Sequence, residues 1–243
     1  LVVSQLISFS FVCLFFERFD MLRFVLSIAL ALFGSVASAQ TPFPARVVEA
    51  GQTVTVPKGN YTLTQPVVVR FGGTLVVEAG STIEVAPLGV PFQVWGSLRM
   101  LGSATGPVVI KPIGSGVVGQ ITTYSSMQRR PSIELRYVEM TTTKTNNYEV
   151  IYLDRADFLI EGCKLSISQG IANRSVLRIV NSSAGSIASS LLDGQSDLDG
   201  AASVGVTVGA TAGTVQFNEV LISNATTPVK IDKQFALLSG SVE

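Results

Sequence analysis

The chain has 243 residues, 17 basic and 17 acidic side chains, and no histidine. Zero net charge and a charged fraction of 14% leave no electrostatic footprint for nucleic acid or an anionic membrane. The missing imidazole excludes Ser-His-Asp and Cys-His catalysis, histidine bases and ordinary zinc sites together.

In chain order, residues 1–20 are an apolar stretch that begins at Leu1, and Met21 opens a more familiar pattern. Arg23 supplies a positive n-region, Phe24 to Phe33 an apolar h-region, and Ala37-Ser38-Ala39 a cleavage site before Gln40. The reading is a helical signal peptide over 21–39, with 1–20 as upstream translation or an apolar leader. A membrane hairpin of the two apolar runs is the alternative, although each is shorter than the roughly 20 residues of a span. The mature chain, 40–243, is then one secreted domain, extracellular or at a cell surface, with no membrane span and Cys163 as its one thiol. A single cysteine gives no disulfide framework.

Thr41 to Arg46, with two prolines, predicts a lead-in segment. Short apolar-alternating segments follow at Thr53 to Val56, Tyr61 to Thr64 and Val67 to Arg70, then in the runs Gly72 to Val85 and Gly96 to Ile110. Loops are expected over Pro112 to Gln120, Tyr124 to Pro131, Thr141 to Asn147 and Asp193 to Gly200. From Ser132 onward two segments recur at spacings of roughly 22 to 30 residues, the signature of a solenoid. The first aligns Ile133, Phe158, Ile187 and Val215 in one inward column, and Leu135, Ile160, Ser189 and Phe217 two residues on. Val138, Cys163, Leu192 and Val220 form a third. Arg136, Glu161, Ser190 and Asn218 form an outward column, and Glu139, Lys164 and Asp193 another. The second segment aligns Ile151, Leu177, Val206 and Val229, then Leu153, Ile179, Val208 and Ile231. Alternation at period two turns each apolar column inward, and such a chain buries it only by stacking coils about 4.8 Å apart. Each coil needs at least two strands, with a third expected. Cys163, in an apolar column, reads as a small buried hydrophobe.

The runs Gly72-Gly-Thr-Leu-Val-Val-Glu-Ala-Gly-Ser-Thr-Ile-Glu-Val85 and Gly96-Ser-Leu-Arg-Met-Leu-Gly-Ser-Ala-Thr-Gly-Pro-Val-Val-Ile110 resemble right-handed parallel β-helix proteins of the pectin-lyase-like superfamily. The resemblance implies an all-β, right-handed parallel β-helix of about eight coils over nearly all of the chain after the leader. It is informative for fold and poor for function, because that superfamily holds lyases, hydrolases, adhesins and inert spacers.

Two places could bind something. An outward column of Gln93, Thr122, Tyr152, Arg178, Thr207 and Lys230 offers hydrogen-bonding groups, a flat aromatic and two cations to an extended polysaccharide. Trp95 and Tyr124 lie near the same edge. The bland alternative is that every sheet needs a polar outer face, with Tyr152 and Arg178 a cation–π pair. Asp193, Asp197 and Asp199 could hold calcium, or form a solvated acidic turn; no acidic residue closes the loop as in an EF-hand. No other cofactor is expected. A catalytic reading rests on the resemblance alone. Its hydrolases use a Gly-His-Gly segment that this chain lacks, and its calcium-dependent lyases use several acids with an arginine or lysine base. Asp154-Arg155 and Asp232-Lys233 fall at matching strand ends but three coils apart, about 14 Å; Asp154 and Asp157 with Arg155 is a thinner alternative. Asn173, Asn181 and Asn224 open glycosylation sequons. Ala236 to Glu243 looks like the opening of a further strand, a point for self-association. The function expected is a secreted, non-catalytic, adhesin-like binding or scaffolding module contacting polysaccharide or a surface protein; the alternative is a polysaccharide lyase.

Overall fold

The computed structural model describes residues 40–114, 119–126, 129–143, 149–168, 175–194, 204–209, 212–232 and 238–242. The expectations placed on 1–39 lie outside these residues. Those described between Gln40 and Glu243 belong to one compact unit, all β, with no helix among them.

The strands follow one another in a three-way rotation. They begin with β1 (Thr41–Pro42), β2 (Val47–Val48), β3 (Thr53–Val56), β4 (Asn60–Leu63), β5 (Val67–Val69), β6 (Thr74–Glu78), β7 (Thr82–Val85) and β8 (Phe92–Val94). Next come β9 (Ser97–Leu101), β10 (Val108–Pro112), β11 (Ile121–Thr123), β12 (Ser132–Arg136), β13 (Val138–Thr143), β14 (Ile151–Asp154), β15 (Asp157–Glu161) and β16 (Lys164–Ser168). The last are β17 (Ser175–Val180), β18 (Ala184–Ala188), β19 (Leu191–Asp193), β20 (Val204–Gly209), β21 (Val215–Ser223), β22 (Thr227–Asp232) and β23 (Leu238–Val242). Through β18, each strand pairs in parallel with the strand three places on, which stacks them into three faces. Face A runs from β1 through β19, face B from β2 through β22, and face C from β3 through β18. The long β21 pairs with both β18 and β19, and so joins faces C and A. This is a parallel β-solenoid, regular for about five turns from β4 to β18.

The core follows from alternation. Phe92, Ile121, Ile151, Leu177, Val206 and Val229 stack on face B, as the repeat predicted from Ile151 onward. Val77, Met100, Leu135, Ile160, Ile187 and Phe217 stack on face C. Leu98, Leu135 and Leu177 are fully buried, and each such side chain contributes about 1.5–3 kcal/mol of transfer free energy. Near β1, Phe43 meets Tyr61 and Phe92 edge to face, with centroids 5.8 and 6.1 Å away. The expected lead-in segment therefore contains a strand, and its Pro42 sits on β1, which pairs only with β4, where a missing N–H is tolerated.

One turn departs from the predicted columns. Phe158 pairs with Gly185, and Ile187 with Ile160, so Ile187 and Ser189 belong two residues from their expected places. The slip carries through that turn. Ala188, not Ser190, continues the Arg136–Glu161 column; Leu191, not Asp193, follows Lys164; and Ser190, not Leu192, lies beside Cys163. The reason is Gly185, which holds an inward place with no side chain. A Cβ there would stand 1.9 Å from the Phe158 carbonyl oxygen. A two-residue slip keeps the inward face, so the hydrophobic pattern alone cannot detect it.

The corner from face C to face A is tight and repetitive. Tyr137, Gly162, Ser189 and Glu219 all take the left-handed conformation there, with φ of 47°, 63°, 47° and 54°. The N–H of Tyr137 donates to the Glu161 carbonyl, that of Gly162 to Ala188 and that of Ser189 to Asn218, at 2.8 to 3.0 Å. The chain turns within one or two residues and hands its corner hydrogen bond to the next coil. Connections from face A to face B are longer: residues 113–120, 144–150, 169–174 and 194–203. Thr141 to Thr143, expected in a loop, extend β13 instead, paired with β16.

Candidate functional site

The outward column predicted on face B is in register throughout. Gln93 pairs with Thr122, Thr122 with Tyr152, Tyr152 with Arg178, Arg178 with Thr207, and Thr207 with Lys230. It is not an open strip. Thr122 and Thr207 are each only 4% exposed. The Gln120 amide donates to Thr122 Oγ1, while Gln120 Oε1 accepts the Glu149 N–H at 3.1 Å. The hydroxyls of Ser175 and Thr207 share a short hydrogen bond. Glu149, itself buried, reaches Arg178 at 3.6 Å, and the Arg178 Nε is buried without a hydrogen-bond partner among the described residues. Burial, reinforced by the Asp154 charge, pushes the Tyr152 hydroxyl above its ordinary pKa, and Arg178 opposes that rise. Face B thus carries a polar layer covered midway, consistent with the long connections that lead onto it. Trp95 and Tyr124 stack on each other at 4.4 Å and 15°, which spends one face of each ring within the protein.

An accessible surface lies on face C, where the sequence reading singled out only Asp157. A groove of about 410 Å³ is lined by Ser97, Arg99, Ser132, Glu134, Asp157 and Leu159, with the backbone of Ile133 and Phe158 between them. One row along it is hydroxylic: Thr53, Thr74, Ser97 and Ser132 are in register on four successive strands, and Ser132 donates to Ser97 at 2.8 Å. Asp157 continues the row and pairs with Arg130 at 2.9 Å. The next row holds Arg99, Glu134 and Leu159. Glu134 accepts from Arg99 at 2.6 Å and from Arg136 at 2.8 Å, and Arg136 also reaches Glu161 at 2.8 Å. Partial burial would raise the Glu134 pKa, but the hydrogen bonds from Arg136 and Arg99 outweigh it and hold the carboxyl below the usual range. Glu134, in turn, holds Arg136 more firmly protonated. The signal that would have found this face was present: Thr53, Thr74, Ser97 and Ser132 each lie at or beside the start of a segment, one coil apart. The columns of that segment begin at Ile133, one residue past the row and one coil too late to include Ser97.

The remaining candidates do not converge. Asp154 accepts the Asn181 amide at 2.8 Å, Asp157 belongs to Arg130, and Arg155 occupies a left-handed corner with φ 48°. Asp154 and Asp232 share a column with Val180 and Gly209 between them. Lys233 lies outside the described residues. Of the calcium candidates, Asp193 accepts from Ser223 at 3.1 Å and Asn224 at 2.8 Å; Asp197 and Asp199 lie outside the described residues. Among the described residues, no three acidic or thiol side chains gather as a metal site. Cys163 is buried between Val138 and Ser190: its sulfur accepts the Val138 N–H at 3.4 Å and its N–H donates to Ser190 Oγ at 3.1 Å. Burial pushes the thiol pKa up to about 11, the opposite of what a nucleophile needs.

No family model, no curated protein and no solved structure matches this chain. The fold is a parallel β-solenoid, shown by the strand pairing.

Proposed function

We propose that the protein is a secreted, non-catalytic binding or scaffolding module, a right-handed β-helix of about eight coils in the manner of pectin-lyase-like proteins, contacting polysaccharide at the cell surface. The observation that carries this reading is the face C groove: hydroxyls and charged heads at coil spacing, open to solvent, over a rigid sheet. Its ionisable groups argue for holding rather than for proton transfer. Glu134 is ion-paired and held below the usual carboxylate range, whereas a general acid at neutral pH needs a raised pKa. Asp157 is engaged by Arg130, so among the described residues that line the groove each carboxylate has a cationic partner.

The experiment is to incubate the protein with soluble and insoluble polysaccharides, then measure depletion from solution and analyse the supernatant by mass spectrometry. Depletion with intact polymer is the expected result. Unsaturated oligosaccharides would replace this reading with a lyase. Neither effect would leave a scaffold without a carbohydrate ligand.

A further inference from the structure

We infer that the face C groove selects a neutral polysaccharide, lying along the solenoid axis, over a polymer of uronic acids. This rests on the binding function proposed above. The first observation is charge. Arg99, Glu134 and Asp157 line the groove, and Arg130, Arg136 and Glu161 join them in ion pairs beside it, three cations against three anions, every one of these arginines having a carboxylate within 2.6 to 2.9 Å. A polyanion therefore meets a surface with no net charge, and to reach a guanidinium it must compete with a carboxylate already in place. A neutral polyol needs no such exchange. Each paired guanidinium and carboxylate keeps N–H and lone-pair capacity beyond its partner, which sugar hydroxyls can use as donors or acceptors.

The second observation is spacing. The hydroxyl row beside these charges advances one strand at a time, about 4.8 Å per coil, comparable to the rise of one hexose in an extended chain. A polymer parallel to the axis meets a hydroxyl at each coil from Thr53 to Ser132, the last two within the groove, and then the Asp157 carboxylate. Leu159, between Glu134 and Ser186 in its column, gives a small apolar rest for the C–H face of one ring. Face B lacks this arrangement, because its Thr122 and Thr207 are buried.

The test uses the full chain, with unsubstituted glucan and mannan as neutral probes and polygalacturonate and alginate as acidic ones. Binding is read by affinity electrophoresis at roughly 0.01 M and 1 M salt, where the screening length falls from about 30 Å to about 3 Å. A neutral polymer should bind with less than about two-fold change between the two salts, and the acidic ones at least about ten-fold more weakly at either salt, the arithmetic of ~1.4 kcal/mol. Glu134→Gln leaves three arginines against two acids, so it should raise polygalacturonate binding several-fold at low salt only. Ser132→Phe, bulky but suited to a strand, should abolish neutral-polymer binding while circular dichroism stays unchanged. Preferred, salt-sensitive binding of the acidic polymers would overturn the inference and keep the binding function. Binding of none of the four, or Ser132→Phe folded and binding normally, would remove the groove as a polysaccharide site altogether.

Discussion

Faces B and C are built from the same alternation and have the same interior, yet their outer surfaces differ. On face B the outward residues are Gln93, Thr122, Tyr152, Arg178, Thr207 and Lys230, and the two threonines are buried beneath a polar layer that includes Gln120, Glu149 and Ser175. On face C, Arg99, Glu134 and Arg136 pair along the sheet, Asp157 pairs with Arg130 of the connection before β12, and a groove is left. Connection length alone does not separate the two faces: face C is left through one- or two-residue corners at Tyr137, Gly162 and Ser189, yet the segment 124–131 leads onto it at Ser132. What separates them is that the outward residues of face B are tied to Gln120, Glu149 and Ser175.

The comparison can be broken most severely at Gly185. Gly185→Val would force a side chain against the Phe158 carbonyl, and we expect a loss of about 3 kcal/mol or more in urea unfolding, with face C disturbed first. Paired truncations test the claim that the interiors are equivalent. Leu135→Ala on face C and Leu177→Ala on face B should each cost about 3 kcal/mol, since both side chains are fully buried; a gap beyond about 2 kcal/mol would break the equivalence. Cys163 reports on the corner shared by faces C and A. With its pKa near 11, iodoacetamide at neutral pH should modify the folded protein at least about 100-fold more slowly than the unfolded chain, whose thiol lies near 8.5. The smallest effect is electrostatic. Because the folded Glu134 pKa lies below its unfolded value, its contribution is present above the ordinary glutamate range and disappears as pH falls through the folded value. The side chain is part-exposed, so the loss should be no more than about 1 kcal/mol, and Glu134→Gln should flatten that segment of the acid titration.

Much of this was legible beforehand, though unevenly. On face B the columns from Ile151 to Val229 and from Tyr152 to Lys230 were correct to the residue, because each strand there carries an unbroken apolar alternation. On face C the columns failed at one turn, where Gly185 takes the column position opposite Phe158 without a side chain to announce it. The sequence places the Tyr152–Arg178 strip in register, but periodicity tells which way a side chain points and not how deeply it is covered, as Thr122 and Thr207 are. The groove was missed for a related reason. Serine and threonine at strand starts look like ordinary turn chemistry until Thr53, Thr74, Ser97 and Ser132 are stacked in one row.

The central claim is that face C, not face B, is the binding surface. Hydroxyl-radical footprinting with and without saturating neutral polymer tests it directly, because Leu159 and Tyr152 are partly exposed reporters on the two faces. Oxidation of Leu159 should fall while that of Tyr152 stays constant. Protection of Tyr152 with Leu159 unchanged would contradict the account and return the site to face B.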